Sequence, residues 1–274
     1  MTTKYQLANP AAPYIALRRH FRLVMQLSWR DVIGRYRGSF MGLFWSFFNP
    51  LLMLAVYTFV FGVIFKSRWN SQVTSHFEFA VVLFAGLNIN AFFAECANHA
   101  PTLIIENTNF VKRVVFPLET LGWSALGAAL FHLGISTLVL LVFEWAASGS
   151  VPATAVLFPL VVLAFVPFVV GSVWLLSALG VFLRDLKQAI AIVTMVMMFL
   201  APVFYPLSLI PVRFRIFIYL NPLTLIVRES RAVLVWGTQP DWLELGIYLV
   251  LGCLFAWVTF VWFEKARKGF ADVL

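Results

Sequence analysis

The sequence predicts an all-α membrane protein with six transmembrane helices. Of its 274 residues, 62% are hydrophobic and only 12% are charged, whereas soluble domains contain about 45–50% apolar and about 25% charged residues. This apolar surplus exceeds what a protein core can bury, so lipid must cover much of the surface. The apolar residues are also grouped in stretches of about 20, the length that a helix needs to cross a membrane.

The six predicted spans are separated by polar or proline-containing segments. They cover residues 40–65, 77–97, 118–143, 155–183, 188–205 and 243–263. The second is the least typical, because Asn88 and Asn90 lie in its middle. Pro159 and Pro167 are expected to kink the fourth. Together the spans make up a membrane domain over residues 40–263.

Residues 1–39 form a predicted N-terminal cytoplasmic segment, and residues 14–33 within it have the periodicity of an amphipathic helix. Apolar residues share one side, namely Leu17, Phe21, Val24, Met25, Leu27 and Val32. Polar residues share the other side, namely Arg18, Arg19, Arg22, Gln26 and Arg30. This pattern favours an interfacial helix on the inner leaflet. Alternatively, the arginines act only as a topology signal.

An even number of spans places both termini on one side of the membrane, and the basic residues indicate the cytoplasm. With both termini inside, the inner segments hold more than twice as many Lys and Arg residues as the outer ones, as cytoplasmic loops usually do. Residues 264–274 are then a cytoplasmic tail. No apolar stretch precedes Phe40 early enough for a secretory signal, so none is expected.

The segment between the last two spans, residues 206–242, mixes short apolar pieces with prolines and arginines. None of the pieces is long enough to cross the membrane. Backbone at membrane depth must have its hydrogen bonds satisfied by protein or by a wet cavity. Short re-entrant or interfacial helices on the outer face are therefore predicted, with a solvated external loop as the alternative.

The sequence lacks the motifs of several enzyme classes. It contains no G-x-x-x-x-G-K-[ST] phosphate loop, so ATP hydrolysis is not expected of this chain. No His, Cys, Asp or Glu set has the spacing of metal ligands, and Cys96 and Cys253 both lie in apolar stretches. We therefore expect neither catalytic residues nor a metal or cofactor in this chain.

Two features have both a packing and a functional interpretation. His132 lies inside the third span, where an ionisable side chain is a functional candidate, although a hydrogen-bonded packing role is favoured. Gly34, Gly38 and Gly42 recur every four residues, and in a helix they would form a stripe for close packing. The same stripe could instead let a bulky substrate pass.

Aromatic residues make up 17% of the chain, and most are expected to face lipid or the membrane interface. Because sugars stack on aromatic rings, a glycan channel would also use them. Two faces of the first span are candidates, and the one with Tyr57 is favoured because its hydroxyl can bond to a sugar. The channel-lining candidates are Phe47, Tyr57, Phe61, Asn88, Asn90 and Tyr205.

Residues 99–117, which connect the second and third spans, are unusually apolar for a connection outside the lipid. They are expected to contain a short helix that docks on a protein surface. That surface is either this chain's own spans or a partner protein.

Four stretches of the chain resemble ABC-2-type permeases that export O-antigen, capsular polysaccharide or teichoic acid. They are WRDVIGRYRGSFMGLFWSFFNPLLMLAVYTFVFGVIF at residues 29–65, ENTNFVKRVVFPLE at 106–119, YLNPLT at 219–224 and GFADVL at 269–274. The resemblance extends over nearly the whole chain, and the first stretch is its most specific part.

The resemblance implies a homodimer in the bacterial inner membrane, joined to two separate nucleotide-binding subunits that hold ATP and Mg²⁺. It also implies that the second cytoplasmic segment couples the permease to the ATPase. The coupling candidates are Glu106, Asn107, Asn109, Phe110, Lys112 and Arg113. The substrate would be a lipid-linked glycan, and its phosphate headgroup would meet Arg30, Arg35 and Arg37. Positive-inside anchoring is the other interpretation of these three arginines.

Two other transport functions remain as alternatives. An ABC-2 exporter of small hydrophobic compounds would share the same architecture. An ion-coupled lipid flippase is less favoured, because it would need ionisable residues at mid-membrane and the predicted spans have no central Asp or Glu.

Overall fold

The computed structural model describes residues 9–64, 76–111, 116–207 and 210–274, and it confirms the predicted all-α class. These ranges contain helices and connecting turns but no strand. The coupling candidates Lys112 and Arg113 lie outside the described residues.

The helices are numbered here in chain order. They are α1 (Ala12–Arg19), α2 (Phe21–Tyr36), α3 (Trp45–Tyr57), α4 (His76–Glu106), α5 (Thr108–Val111), α6 (Glu119–Ser148), α7 (Phe158–Phe182), α8 (Leu186–Leu200), α9 (Arg215–Tyr219), α10 (Leu223–Leu234), α11 (Trp242–Ala266) and α12 (Phe270–Val273). A π-helical segment, Thr58–Ile64, continues α3.

Five helical stretches in the described ranges are long and apolar enough to cross a membrane. They are Gly42–Phe61, Phe79–Glu106, Glu119–Ala146, Ala153–Phe182 and Trp242–Val273, and they match predicted spans one to four and six. The predicted fifth span corresponds to α8, which has 15 residues and is about 22 Å long. This is short of a hydrocarbon core of about 30 Å, so the count of six stays a prediction.

Proline chemistry explains why α8 ends early. Its C-cap residue Ala201 has ψ 148°, an extended conformation, as expected of a residue that precedes a proline.

In α7, Pro159 does not have the effect that the sequence predicts. Pro159 lies in the first turn of that helix, where its missing N–H costs nothing, so Pro159 starts the helix instead of kinking it.

The helix α4 is the centre of the bundle, because α6, α7, α8 and α10 all pack against it. Within its most apolar stretch 78% of the residues are buried inside the chain, compared with 11% for the stretch that contains α3. The polar residues Asn88 and Asn90 are therefore buried in protein and not exposed to lipid.

The C-terminal residues pack at the end of the bundle where α6 begins and α7 ends. Because Arg30 of α2 contacts Asn107 near this end, we call it the α2 end. Arg267 donates a hydrogen bond to the carbonyl of Phe116 (2.6 Å) and contacts the carboxylate of Glu119 (3.2 Å) at the start of α6. Phe270 packs on Phe182 at the end of α7, with 6.1 Å between ring centroids. The placement of both termini in the cytoplasm stays a prediction.

Two details of the N-terminal region differ from the prediction. The amphipathic stretch forms two helices, which are interrupted at His20. Gly38 and Gly42 have φ values of 83° and 51°, a left-handed backbone that glycine adopts without a steric penalty. The predicted helical glycine stripe is therefore wrong, since these two glycines turn the chain between α2 and α3.

The opposite end of the bundle contains the predicted short helices, α9 and α10. Asn221 joins them to α8, because its side chain donates to the carbonyl of Met197 (2.7 Å) and accepts from the N–H of Leu223 (3.0 Å). This explains the asparagine of the YLNPLT stretch. Whether α9 and α10 re-enter the membrane or lie on its outer face stays a prediction.

Arg231 fixes α10 to the centre of the bundle. Its side chain is 2% exposed and donates to the carbonyls of Val82 (2.8 Å), Pro202 (2.5 Å) and Val203 (2.7 Å). Gly86 makes room for the guanidinium, since a Cβ there would lie 2.6 Å from Nη2. One side chain thus satisfies backbone carbonyls of two other segments.

We expect Gly180→Ala to destabilise the protein. A Cβ at this position would lie 2.1 Å from the carbonyl oxygen of Pro101 in α4, and backbone atoms cannot move aside as a flexible side chain can. Such overpacking costs about 1–3 kcal/mol, and the thermal unfolding temperature in detergent measures it. Gly246→Ala is the matched control, because nothing lies within 4 Å of a Cβ there. Equal unfolding temperatures for both variants would contradict the close α4–α7 contact.

Arg231→Lys should also lower the unfolding temperature, because the single ammonium nitrogen cannot reach the three carbonyls that three separate guanidinium nitrogens contact. Each lost hydrogen bond to a charged donor costs about 1.5–3 kcal/mol. Arg213→Lys is the control, since Arg213 is exposed and lies over the ring of Phe214. A variant as stable as this control would show that Arg231 does not anchor α10.

Candidate functional site

A cavity lined by charged side chains lies at the α2 end, between α2, α4 and α6. We call it the α2 cavity, and its volume is about 920 Å³. Four alanines keep it open, namely Ala91, Ala94, Ala125 and Ala128. Its polar lining consists of Arg30, Asp31, Arg35, Glu95, Asn98, His99, Glu106 and His132. The space is large enough for a small headgroup.

Four residues from three helices form a polar cluster, and three of them, Arg35, Glu95 and His132, line this cavity. The Oε1 atom of Glu95 in α4 lies 2.8 Å from Nη2 of Arg35 in α2 and 2.8 Å from Nδ1 of His132 in α6. The hydroxyl of Tyr36 lies 3.2 Å from the other ring nitrogen of His132. With a proton on Nδ1, the ring donates to Glu95 and accepts from Tyr36. The same Nδ1 atom also lies 3.2 Å from Nη1 of Arg35, so the three charged or ionisable groups are in mutual contact. We call these four residues the Glu95 cluster.

The helix α2 is positioned for this cluster by contacts with α6. Ser124 donates a hydrogen bond to the carboxylate of Asp31 (3.0 Å). Ser28 rests on Gly127, where a Cβ would lie 2.3 Å from the serine oxygen. The glycine thus allows the close approach that brings Arg35 to Glu95.

Each arginine in the cavity has an acidic partner within the chain. Arg30 pairs with Asp31 (2.9 Å), and Arg35 pairs with Glu95. Of the three predicted headgroup residues, the structure brings Arg30 and Arg35 to the cavity. Arg37 is exposed and does not line the cavity.

Arg30 also joins α2 to the predicted coupling segment. Its Nη2 atom lies 3.5 Å from Oδ1 of Asn107, and its guanidinium lies 5.8 Å from the ring centroid of Phe110. Phe110 stacks on Phe116 with 4.2 Å between centroids. These contacts place the segment against α2.

The remaining described coupling candidates lie at the same end. Glu106 is exposed and pairs with His99 (3.2 Å), while Asn109 is exposed. Both residues are therefore accessible to a partner protein, and the coupling role stays a prediction.

The six channel-lining candidates do not share one surface of the chain. Tyr57 packs on Phe61, and Phe61 packs on Phe79 of α4, at 6.4 and 5.7 Å between centroids. Phe47 is exposed, and Tyr205 donates to the carbonyl of Phe199 (2.8 Å). The remaining candidates are buried, namely Asn88 and Asn90. Their role in a channel stays a prediction.

Glu95, Asp31 and Tyr36 were not predicted as site residues. A signal was present, because Glu95 and His132 both fall within predicted spans and ionisable residues there mark functional sites by default. The two were treated separately, since nothing in the sequence pairs them across helices. A carboxylate within a span needs a partner that neutralises it. Glu95 therefore indicated that an arginine or histidine of another helix would lie beside it.

Comparisons with known proteins identify relatives over most of the chain. A family model described as "ABC-2 type transporter" matches residues 22–235. A protein named "O-antigen export system permease protein RfbA" from Myxococcus xanthus is 29% identical over 252 residues, which cover 91% of this chain and 94% of the relative. A protein of the same name from Klebsiella pneumoniae is 27% identical over 256 residues, or 93% of this chain and 95% of the relative.

Proposed function

The chain belongs to the ABC-2 type transporter family, and we propose that it is the transmembrane subunit of an ATP-driven exporter of lipid-linked polysaccharide. O-antigen is the first candidate for the cargo, followed by capsular polysaccharide and teichoic acid. The observation that supports this proposal is the similarity to O-antigen export permeases over more than nine tenths of the chain. In this function the chain is a conduit and not an enzyme.

The proposed location is the bacterial cytoplasmic membrane, with the α2 end in the cytoplasm. The excess of basic residues in the segments of that end supports this orientation. The glycan would then enter from the α2 end and leave near α9 and α10.

We propose that two copies of the chain work with two ATPase subunits, which bind ATP and Mg²⁺. Two apolar surfaces support a dimer. One is α3, whose span is only 11% buried inside the chain. The other is α8, which exposes Ile192, Val193, Met195, Val196 and Phe199. A second copy would cover part of these surfaces and leave the rest to lipid, with the path for glycan between the copies.

In the proposed mechanism, ATP binding closes the ATPase subunits and displaces the coupling segment. Because Arg30 contacts that segment at Asn107 and Phe110, the displacement moves α2. The two copies then shift as rigid bodies and open the path between them. The anionic headgroup of the glycan lipid would bind in the α2 cavity, since arginine suits bidentate recognition of phosphate.

Phe110→Ala should reduce ATP-driven export by about tenfold, the effect of losing about 1.4 kcal/mol of coupling. The change removes the ring that stacks on Phe116 and lies under Arg30. Surface glycan in cells that also produce the partner ATPase measures the effect. Phe214→Ala, an exposed phenylalanine at the opposite end, serves as the control. Export at the level of this control would contradict the coupling role.

Replacing Arg30, Arg35 and Arg37 with Gln should reduce export while membrane insertion remains intact. The matched control replaces Arg18, Arg19 and Arg22, three exposed arginines of the same N-terminal region that do not line the cavity. It removes the same positive charge, so it separates headgroup binding from topology. Unchanged export in the first variant, or equal losses in both, would remove the headgroup role.

Deletion of the chain distinguishes polysaccharide export from the export of small hydrophobic compounds. The proposed function predicts that surface glycan is lost and that its lipid-linked precursor accumulates in the cytoplasmic leaflet. Normal surface glycan together with increased accumulation of hydrophobic dyes would overturn it.

A further inference from the structure

We propose that Glu95 determines which headgroups the α2 cavity accepts, by competing with the ligand for Arg35. This inference rests on the proposed function, because it assumes that an anionic headgroup reaches the cavity. A headgroup with a pyrophosphate or terminal phosphate displaces the Glu95 carboxylate from Arg35. The phosphodiester of an ordinary membrane phospholipid, which carries a single charge, does not.

The accessibility of the ion pair supports this competition. The side chain of Arg35 is 49% exposed, whereas that of Glu95 is 19% exposed. The guanidinium therefore faces the cavity, while the carboxylate lies deeper in the bundle. An anion in the cavity therefore reaches Arg35 before it reaches Glu95. Because Arg35 is half-exposed, its ion pair with Glu95 is weak, and a bound anion can replace Glu95 as its partner.

His132 makes the exchange possible. A carboxylate that loses its only partner in a poorly solvated site is strongly destabilised. Glu95 retains a second donor, since Nδ1 of His132 lies 2.8 Å from the same oxygen. The His132 side chain is only 14% exposed, so this contact is shielded from the cavity. Tyr36 holds the ring from the other side. Arg35 can thus turn into the cavity without leaving Glu95 unpaired.

The charge balance of the cavity supports selection against weakly charged anions. Arg30 and Arg35 are outnumbered by Asp31, Glu95 and Glu106 in the cavity lining, so an anion binds only if it replaces one of these carboxylates as the partner of an arginine. A ligand must replace the attraction of Glu95 and also approach that carboxylate. A multiply charged phosphate gains enough from bidentate contacts with arginine to do so, and a monoanionic headgroup gains less.

The test uses the complex of the chain with its ATPase, reconstituted in nanodiscs, and the Glu95→Gln and Arg35→Gln variants. A non-hydrolysable ATP analogue fills the ATPase sites, so that they do not bind the probe. The probes are inorganic pyrophosphate in neutral nanodiscs, and phosphatidylglycerol incorporated into the nanodisc bilayer. We expect Glu95→Gln to bind pyrophosphate about three- to tenfold more tightly, because the ligand no longer has to break one weak ion pair. The same variant should gain binding to phosphatidylglycerol. Arg35→Gln should lose pyrophosphate binding, and the double variant should behave like Arg35→Gln.

Glu244→Gln is the matched control, because Glu244 pairs with Arg228 at the opposite end of the bundle and its replacement changes the net charge equally. Glu95→Asp provides a second variant in case glutamine disturbs folding. It keeps the charge but shortens the side chain, so it should shift pyrophosphate affinity in the same direction by a smaller factor. Thermal unfolding of each variant identifies any loss of structure.

Weaker or unchanged pyrophosphate binding in both Glu95 variants would overturn the inference and leave the Glu95 cluster a purely structural contact. Pyrophosphate binding that does not depend on Arg35 would overturn it as well. Neither result affects the proposed function, which fails separately if deletion of the chain leaves surface glycan intact.

Discussion

The carboxylate of Glu95 is the group on which the α2 end of the molecule depends. It lies on the central helix α4 and binds Arg35 of α2 and His132 of α6 through one oxygen, at 2.8 Å each. A carboxylate at this depth requires partners, and the partners come from two other helices. The cluster therefore holds α2 against the bundle and at the same time brings basic side chains to the wall of a cavity.

The position of α2 connects that cavity to the segment that faces the proposed ATPase. Arg30 contributes to the cavity lining and also contacts Asn107 and Phe110. Because α2 is docked on α6 through Ser28 and Gly127, it can transmit displacement between the two sites as one element. At the opposite end, Arg231 has a comparable role for α10, since its guanidinium joins three backbone carbonyls.

Local patterns predicted most of the fold, and long-range contacts account for what was missed. Five spans and the short helices after α8 could be predicted because hydropathy and proline positions act over neighbouring residues. The central position of α4 was not predicted. Its asparagines were interpreted as evidence against a typical transmembrane span, and not as a sign that the helix is buried in protein. Gly38 and Gly42 fit a helical stripe by spacing alone, but their backbone is left-handed. The Glu95 cluster joins residues more than thirty positions apart, which no periodicity encodes.

Reconstitution in liposomes tests the central claim that this chain is a passive conduit driven by a separate ATPase. The chain, a partner ATPase and a lipid-linked glycan are incorporated, and translocation is followed with a membrane-impermeant glycan-binding probe. The account predicts translocation that requires both ATP and the ATPase, and none with the chain alone. Robust transport by the chain alone, powered by an ion gradient, would contradict it.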